Sequence, residues 1–310
     1  MKGFSKILLV VLFAFLAAGC SKNSSGGAKK SLKIAYLPIT HAIPLFAAAE
    51  LASEDFGVKI ELIKYSSWAE LTDALNSGRV DGASVLIQLA SKSKEQGVGL
   101  KAVALGHRDG NAVIVKPNIN SAQELKGKTF AIPHRLSSHN ILLRQMLSNA
   151  QIGTGDLNVV EMAPPEMPAA LVQGQIDGYC VAEPFGAKAV TLGAGKALHE
   201  SGELWRNSIC CAMVLTDNFI KNHPDAAKQF VAQYHEAGAR VSRDKDFADA
   251  TAKKYLMVDD ATLKLSLEWI SFDSLEITPA AYSDLSGKMV TFGLSSNPPE
   301  YEEFVASLRR

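Results

Sequence analysis

Ala74-Leu75-Asn76-Ser77-Gly78-Arg79-Val80-Asp81-Gly82 and Ala170-Leu171-Val172-Gln173-Gly174-Gln175-Ile176-Asp177-Gly178 are one pattern written twice. In each copy an amphipathic stretch ends on Gly, the chain turns, and Asp-Gly opens an apolar run. Pro38 and Pro133, each closing an apolar strand, form a second pair, and both pairs share an offset of about 95 residues. Independent chance matches are not expected to share an offset. The chain therefore reads as two α/β units of one plan.

Outward from the first turn, Leu32 to Leu37 and Lys59 to Tyr65 are expected strands. Ile43 to Ala52 and Trp68 to Leu75 are expected helices, the latter after the capping pair Ser66-Ser67. The second copy repeats the order: strand Thr129 to Ile132, helix His139 to Ser148 capped by Ser138, strand Leu157 to Met162, helix Met167 to Val172, strand Tyr179 to Ala182. Apolar segments Asn111 to Lys116 and Ile209 to Leu215 bracket this copy and are the natural crossings between lobes. The expected division is lobe one over 32–110, lobe two over 111–210, and a return over 211–310. The C-terminal helices of that return should buttress lobe one.

The N-terminus reads separately. Lys2 and Lys6 accompany an apolar run, Ile7 to Ala18, too short for a bilayer span and suited to a signal core. Leu16-Ala17-Ala18-Gly19-Cys20 sets small residues before a cysteine, as a lipobox does. Residues 1–19 are expected to be a lipoprotein signal peptide, Cys20 the lipid attachment site, and 20–31 a flexible polar tether. That puts the protein outside the cytoplasm, lipid-anchored to a bacterial membrane. Lys+Arg and Asp+Glu both number 32, so no basic excess favours nucleic acid.

Open parallel sheets bind ligands outside the carboxyl ends of their strands, and two facing lobes would enclose a ligand in one cleft. The residues trailing the strands are then the candidates: Thr40, His41 and Trp68 in lobe one, and Ser137, Ser138, His139 and Glu183 in lobe two. Helix starts near Pro44 and His139 would aim N–H groups at the same space, which favours an anion or an acceptor-rich polar solute. His41, His134 and His139 with Glu183 could make a zinc site, but no close histidine spacing supports one, so neither metal nor cofactor is expected. Cys180, Cys210 and Cys211 also lack metal-ligand spacing and read as small buried hydrophobes, with a Cys180–Cys210 bridge left open. No hydrolytic elbow, phosphate loop or dinucleotide fingerprint occurs, and no catalytic residues are assigned.

Tyr36-Leu37-Pro38-Ile39-Thr40-His41-Ala42, Ser67-Trp68, Ser138-His139-Asn140 and the run from Pro164-Pro165-Glu166-Met167 to Gly178-Tyr179-Cys180-Val181-Ala182-Glu183-Pro184-Phe185 resemble the nitrate/sulfonate/taurine/bicarbonate family of ABC-importer substrate-binding proteins. The resemblance covers roughly Leu32 to Asn222. It implies the type II periplasmic-binding-protein fold, a small solute as ligand, and permease and ATPase subunits as partners of a monomer. Trp68 and His139 look similar to the family's nitrate-contacting Trp and His, and Asn111 stands where a Gln lies at the first crossing. The solute implied is nitrate-, sulfonate-, taurine- or thiamine-precursor-like. A sensing or scaffolding lipoprotein is the alternative. The thiamine-pyrimidine synthase of the same fold is remote, because Ile209-Cys210-Cys211-Ala212-Met213 lacks its run of cysteines.

Overall fold

The repeated turn anchors each of two sheets. The structure, a computed structural model, describes residues 30–51 and 58–308. The expected signal segment and Cys20 lie outside the described residues, as does all of the expected tether but its end.

The first part of the chain forms strands β1 (Lys30–Tyr36), β2 (Val58–Lys64), β3 (Gly82–Leu86), β4 (Leu100–Leu105) and β5 (Arg108–Asp109). Helices α1 (Ile43–Leu51), α2 (Trp68–Asn76) and α3 (Ile87–Glu95) alternate with them. The middle part forms β6 (Asn111–Val115), β7 (Thr129–Ile132), β8 (Asn158–Glu161), β9 (Gly178–Ala182) and β10 (Lys196–Glu200), with α4 (Ser138–Asn149), α5 (Met167–Val172), α6 (Phe185–Thr191) and the short α7 (Ser201–Leu204). There follow β11 (Cys211–Thr216), α8 (Asp217–Asn222), α9 (Pro224–Arg243), α10 (Lys245–Tyr255), α11 (Asp260–Glu268), β12 (Ile270–Ser271), α12 (Pro279–Thr291) and α13 (Tyr301–Phe304).

The two five-stranded sheets run β2-β1-β3-β11-β4 and β8-β7-β9-β6-β10. They match position for position. In each, three parallel strands meet one antiparallel crossing strand: β11 pairs with β3 and β4, and β6 pairs with β9 and β10. Both crossing strands, together with β3 and β9, are wholly buried, as central strands covered on both faces must be.

The turn chemistry explains the repeated letters. Gly78 and Gly174 have φ of +71° and +73°, a left-handed conformation that suits glycine. Asp81 then accepts from the Lys33 N–H (2.9 Å), and Asp177 accepts from the Thr129 N–H (3.1 Å), each tying the turn to the first parallel strand of its own sheet. Gly82 and Gly178 lie under the crossing strands. A Cβ there would stand 2.4 Å from the Val214 carbonyl oxygen or 2.9 Å from that of Ile114. The same three roles recur in the same order, as the shared offset requires.

Two expectations change. Ser137, not Ser138, caps α4: its hydroxyl accepts from the Asn140 N–H at 3.2 Å, which frees the Ser138 side chain for another partner. The C-terminal helices do not serve the first sheet alone. α9 packs on α1, with the Gln233 amide donating to the Ala48 carbonyl (2.5 Å), whereas α11 packs on α6, where Thr191 and Thr262 hydroxyls meet at 2.8 Å.

Candidate functional site

The crossing strands deliver their first residues to the carboxyl edges of the parallel strands. Cys211 pairs with Leu86 at the end of β3, and Asn111 pairs with Ala182 at the end of β9. The two edges meet. Thr40 binds the Glu183 carbonyl with both its N–H (2.9 Å) and its hydroxyl (3.1 Å), and the Glu183 N–H donates to the Gly110 carbonyl (3.1 Å). Thr40, His41, His107, Asn111, Ser137, Ser138, His139, Cys210, Cys211 and Glu183 are all buried there.

Four of them form a tight group. The imidazoles of His41 and His107 and the thiols of Cys210 and Cys211 each bring a ligand atom within 4.8 Å of the others. His41 and His107 stack with ring centroids 3.4 Å apart, and Gly106 permits this because a Cβ there would lie 2.7 Å from the His41 carbonyl oxygen. His41 Nε2 stands 2.8 Å from the Gly110 carbonyl oxygen, which can only accept, so that nitrogen carries the proton. Nδ1, on the other side of the ring, faces Cys211 Sγ at 3.4 Å and Cys210 Sγ at 3.9 Å. Cys210 Sγ and Cys211 Sγ are themselves 3.9 Å apart.

The second sheet reaches the same group through the start of α4. The Ser138 hydroxyl donates to Cys210 Sγ at 2.8 Å, and the Cys210 thiol faces Asn111 Oδ1 at 3.7 Å. His139 is fully buried, and neither of its ring nitrogens has a hydrogen-bond partner. Burial pushes His139 and His107 down to about 4, with the other imidazoles of the group adding to the push, so both rings are neutral near pH 7. Burial also pushes the Cys210 thiol up, but its contacts with Cys211, His107 and His41 outweigh this and hold it well below the ordinary thiol range. Cys211, starved of water and beside Cys210, moves well above that range.

Of the residues expected from sequence, Thr40, His41, Asn111, Ser138 and His139 stand around this group, with Ser137 capping the helix that carries two of them. Trp68 opens α2 at the end of β2 and is buried with its indole N–H unpartnered. The Glu183 carboxyl is engaged elsewhere: Oε2 accepts from the Ala187 N–H (2.8 Å) and the Ser266 hydroxyl (3.2 Å). Burial pushes that carboxyl up to about 8, so it is largely protonated at neutral pH. His134 is not in the group; its Nδ1 accepts from the Leu136 N–H at 3.0 Å. Cys180, Cys210 and Cys211 are buried, as expected, and all free, so the Cys180–Cys210 bridge does not form. Sequence reading missed the pairing of His107 with Cys210-Cys211. The available signal was position: His107 trails β4, and the cysteine pair opens the second crossing.

A ligand-binding component of an ABC-type import system from Staphylococcus aureus, solved with zinc bound, is 38% identical and superposes with a TM-score of 0.86 over 90% of this chain and 97% of its own. A putative aliphatic sulfonates-binding protein of Bacillus subtilis is 24% identical over 84% of this chain and 80% of its own. The bicarbonate transport ATP-binding protein CmpC of Synechocystis is 27% identical over 68% of this chain, which spans about a third (35%) of that relative's length. Other homologues are named as nitrate- and taurine-binding proteins. No helix among the described residues is long and apolar enough to cross a membrane. The model of the NMT1-like family matches residues 25–256, and the chain belongs to that family.

Proposed function

We propose that this protein is the solute-binding component of an ABC import system, working outside the cytoplasmic membrane and held to it by a lipid on Cys20. It closes its two sheet edges around a small solute and presents it to the permease. The observation that carries this reading is the burial of polar side chains from both sheets at one seam, where Thr40, His41, His107, Asn111, Ser138 and His139 have lost water without filling a common apolar core. A seam of this kind suits a site that opens to admit solute and shuts on it. Import, rather than catalysis, is the reading supported by homologues named as sulfonate-, nitrate- and taurine-binding proteins.

The starts of α1 and α4 first suggest an anionic or polar solute. However, no lysine or arginine is buried among the described residues, and His107 and His139 are held neutral. A site rich in lone pairs and poor in positive charge matches an electron-pair acceptor better, and the zinc of the Staphylococcus aureus relative is of that kind. Thermal unfolding of the full chain with zinc, nitrate, taurine and an alkanesulfonate tests the reading. A solute bound only by the folded protein stabilises it by about 2.7 kcal/mol at a hundredfold excess over Kd, a rise of a few degrees in Tm. No rise with any of the four would count against it.

A further inference from the structure

We infer that the solute is a thiophilic d10 metal ion, zinc(II) or copper(I), held by His41, Cys210 and Cys211 with His107 as the fourth ligand. The inference rests on the interlobe-capture reading above and names the solute class of that same site.

The donor spacing carries it. In a tetrahedral zinc site with Zn–S near 2.3 Å and Zn–N near 2.0–2.1 Å, neighbouring donors lie about 3.3–3.8 Å apart. Three edges of this group, His41 Nδ1 to Cys211 Sγ, His41 Nδ1 to Cys210 Sγ and Cys210 Sγ to Cys211 Sγ, are 3.4, 3.9 and 3.9 Å. The ligand atom of His107 lies within 4.8 Å of them all. Two imidazoles and two thiols are the donor types that zinc and copper(I) prefer, and magnesium or calcium would be poorly served by them.

The surroundings fit a metal as well. The Gly110 carbonyl takes the Nε2–H of His41, the outer hydrogen bond that orients a ligating histidine and raises its basicity. The Ser138 hydroxyl donates to Cys210 Sγ, which stabilises a thiolate. Hydrogen bonding within the protein does not account for every nitrogen: His107 Nδ1 and both nitrogens of His139 are buried without partners. Binding releases the thiol protons to solvent, and the two thiolates then balance the charge of zinc(II). The four ligands lie at the edge of the first sheet, whereas Ser138 and His139 open α4 on the side of the second, so the Ser138 hydrogen bond to a metal-bound Cys210 thiolate would draw the lobes together.

The test uses the full chain, stripped of metal by a chelator in reducing buffer and loaded with cobalt(II), zinc(II), copper(I) or magnesium(II). One equivalent of cobalt should give a thiolate charge-transfer band in the near ultraviolet and the strong visible bands of tetrahedral cobalt, and zinc or copper(I) should displace it. Cys210→Ser and Cys211→Ser should each weaken zinc binding about a hundredfold, and Ser138→Ala about tenfold. Cys180→Ala should leave it unchanged. Absence of the charge-transfer band from the wild-type chain, or binding no tighter than that of magnesium, overturns the inference whether or not the variants fold. If nitrate or taurine raises Tm while no metal binds, the metal is wrong and interlobe capture stands. If metal binds with the band but solution scattering shows no compaction on binding, the metal site stands and capture by closure is wrong.

Discussion

Glu183→Gln isolates a buried carboxyl that the site leaves to structure. In the native chain, burial pushes the Glu183 carboxyl up to about 8; the hydrogen bonds from Ala187 and Ser266 pull it down without cancelling that, and Glu200 pushes it further up. In the unfolded chain it returns to about 4.3–4.5. Between those values the folded protein keeps a proton that the unfolded chain has lost, so the folded state binds more protons and stability must fall as pH rises. The contribution is complete below about pH 4.5 and is lost as pH climbs through 8. Each unit in that window costs about 1.36 kcal/mol, so roughly 3–4 kcal/mol disappears between pH 5 and pH 8. Gln keeps the shape and the acceptor oxygen but does not titrate. Urea unfolding of both proteins at pH 5, 6.5 and 8, free of added metal, measures the effect. The stability of the wild type relative to Glu183→Gln should drop by roughly 3–4 kcal/mol across the series. A difference that stays level from pH 5 to pH 8 would show that the carboxyl titrates alike in both states.

Other outcomes follow from the repeat and the seam. Gly82→Ala should lose about 2–3 kcal/mol in urea unfolding, because its Cβ would meet the Val214 carbonyl oxygen at 2.4 Å; Gly178→Ala, at 2.9 Å from that of Ile114, should lose somewhat less. Asp177 accepts from Lys116 and Thr129, and although burial pushes its carboxyl up, these partners hold it below the usual carboxylate range. Its contribution is therefore present above pH 4 and lost as pH falls further, and acid unfolding of Asp177→Asn should lack that step. Asp244→Ala removes the cap on the Phe247 N–H and should cost about 1 kcal/mol in thermal unfolding. Trp205→Phe loses the indole donor to Asp284 and should cost about 1–3 kcal/mol in thermal unfolding.

The architecture was largely legible in sequence because its signals are local and written twice. A left-handed glycine, an aspartate that caps a strand and a glycine beneath a crossing strand leave the same letters wherever the plan recurs, and Thr129–Ile132 and Met167–Val172 occur at the residues expected. The packing of α11 on α6 was not legible, because an amphipathic helix announces that it has an apolar face but not which element covers it. The site divides in the same way. Thr40, His41, Ser138 and His139 follow strands and could be found by that rule. His107 and Cys210-Cys211 are separated by a whole lobe of sequence and converge only through the crossing at Gly110 and β11, so no spacing announces them. Burial of the cysteines was read correctly, but burial alone does not distinguish a packed thiol from a ligating one.

Anomalous diffraction at the zinc edge, from crystals of the zinc-loaded protein, addresses the interlobe site most directly. One peak should lie about 2.3 Å from both Cys210 Sγ and Cys211 Sγ and about 2.0–2.1 Å from His41 Nδ1, enclosed on its far side by Ser138 and His139. A peak confined to surface carboxylates and imidazoles, with the His41–Cys210–Cys211 group empty, would contradict it.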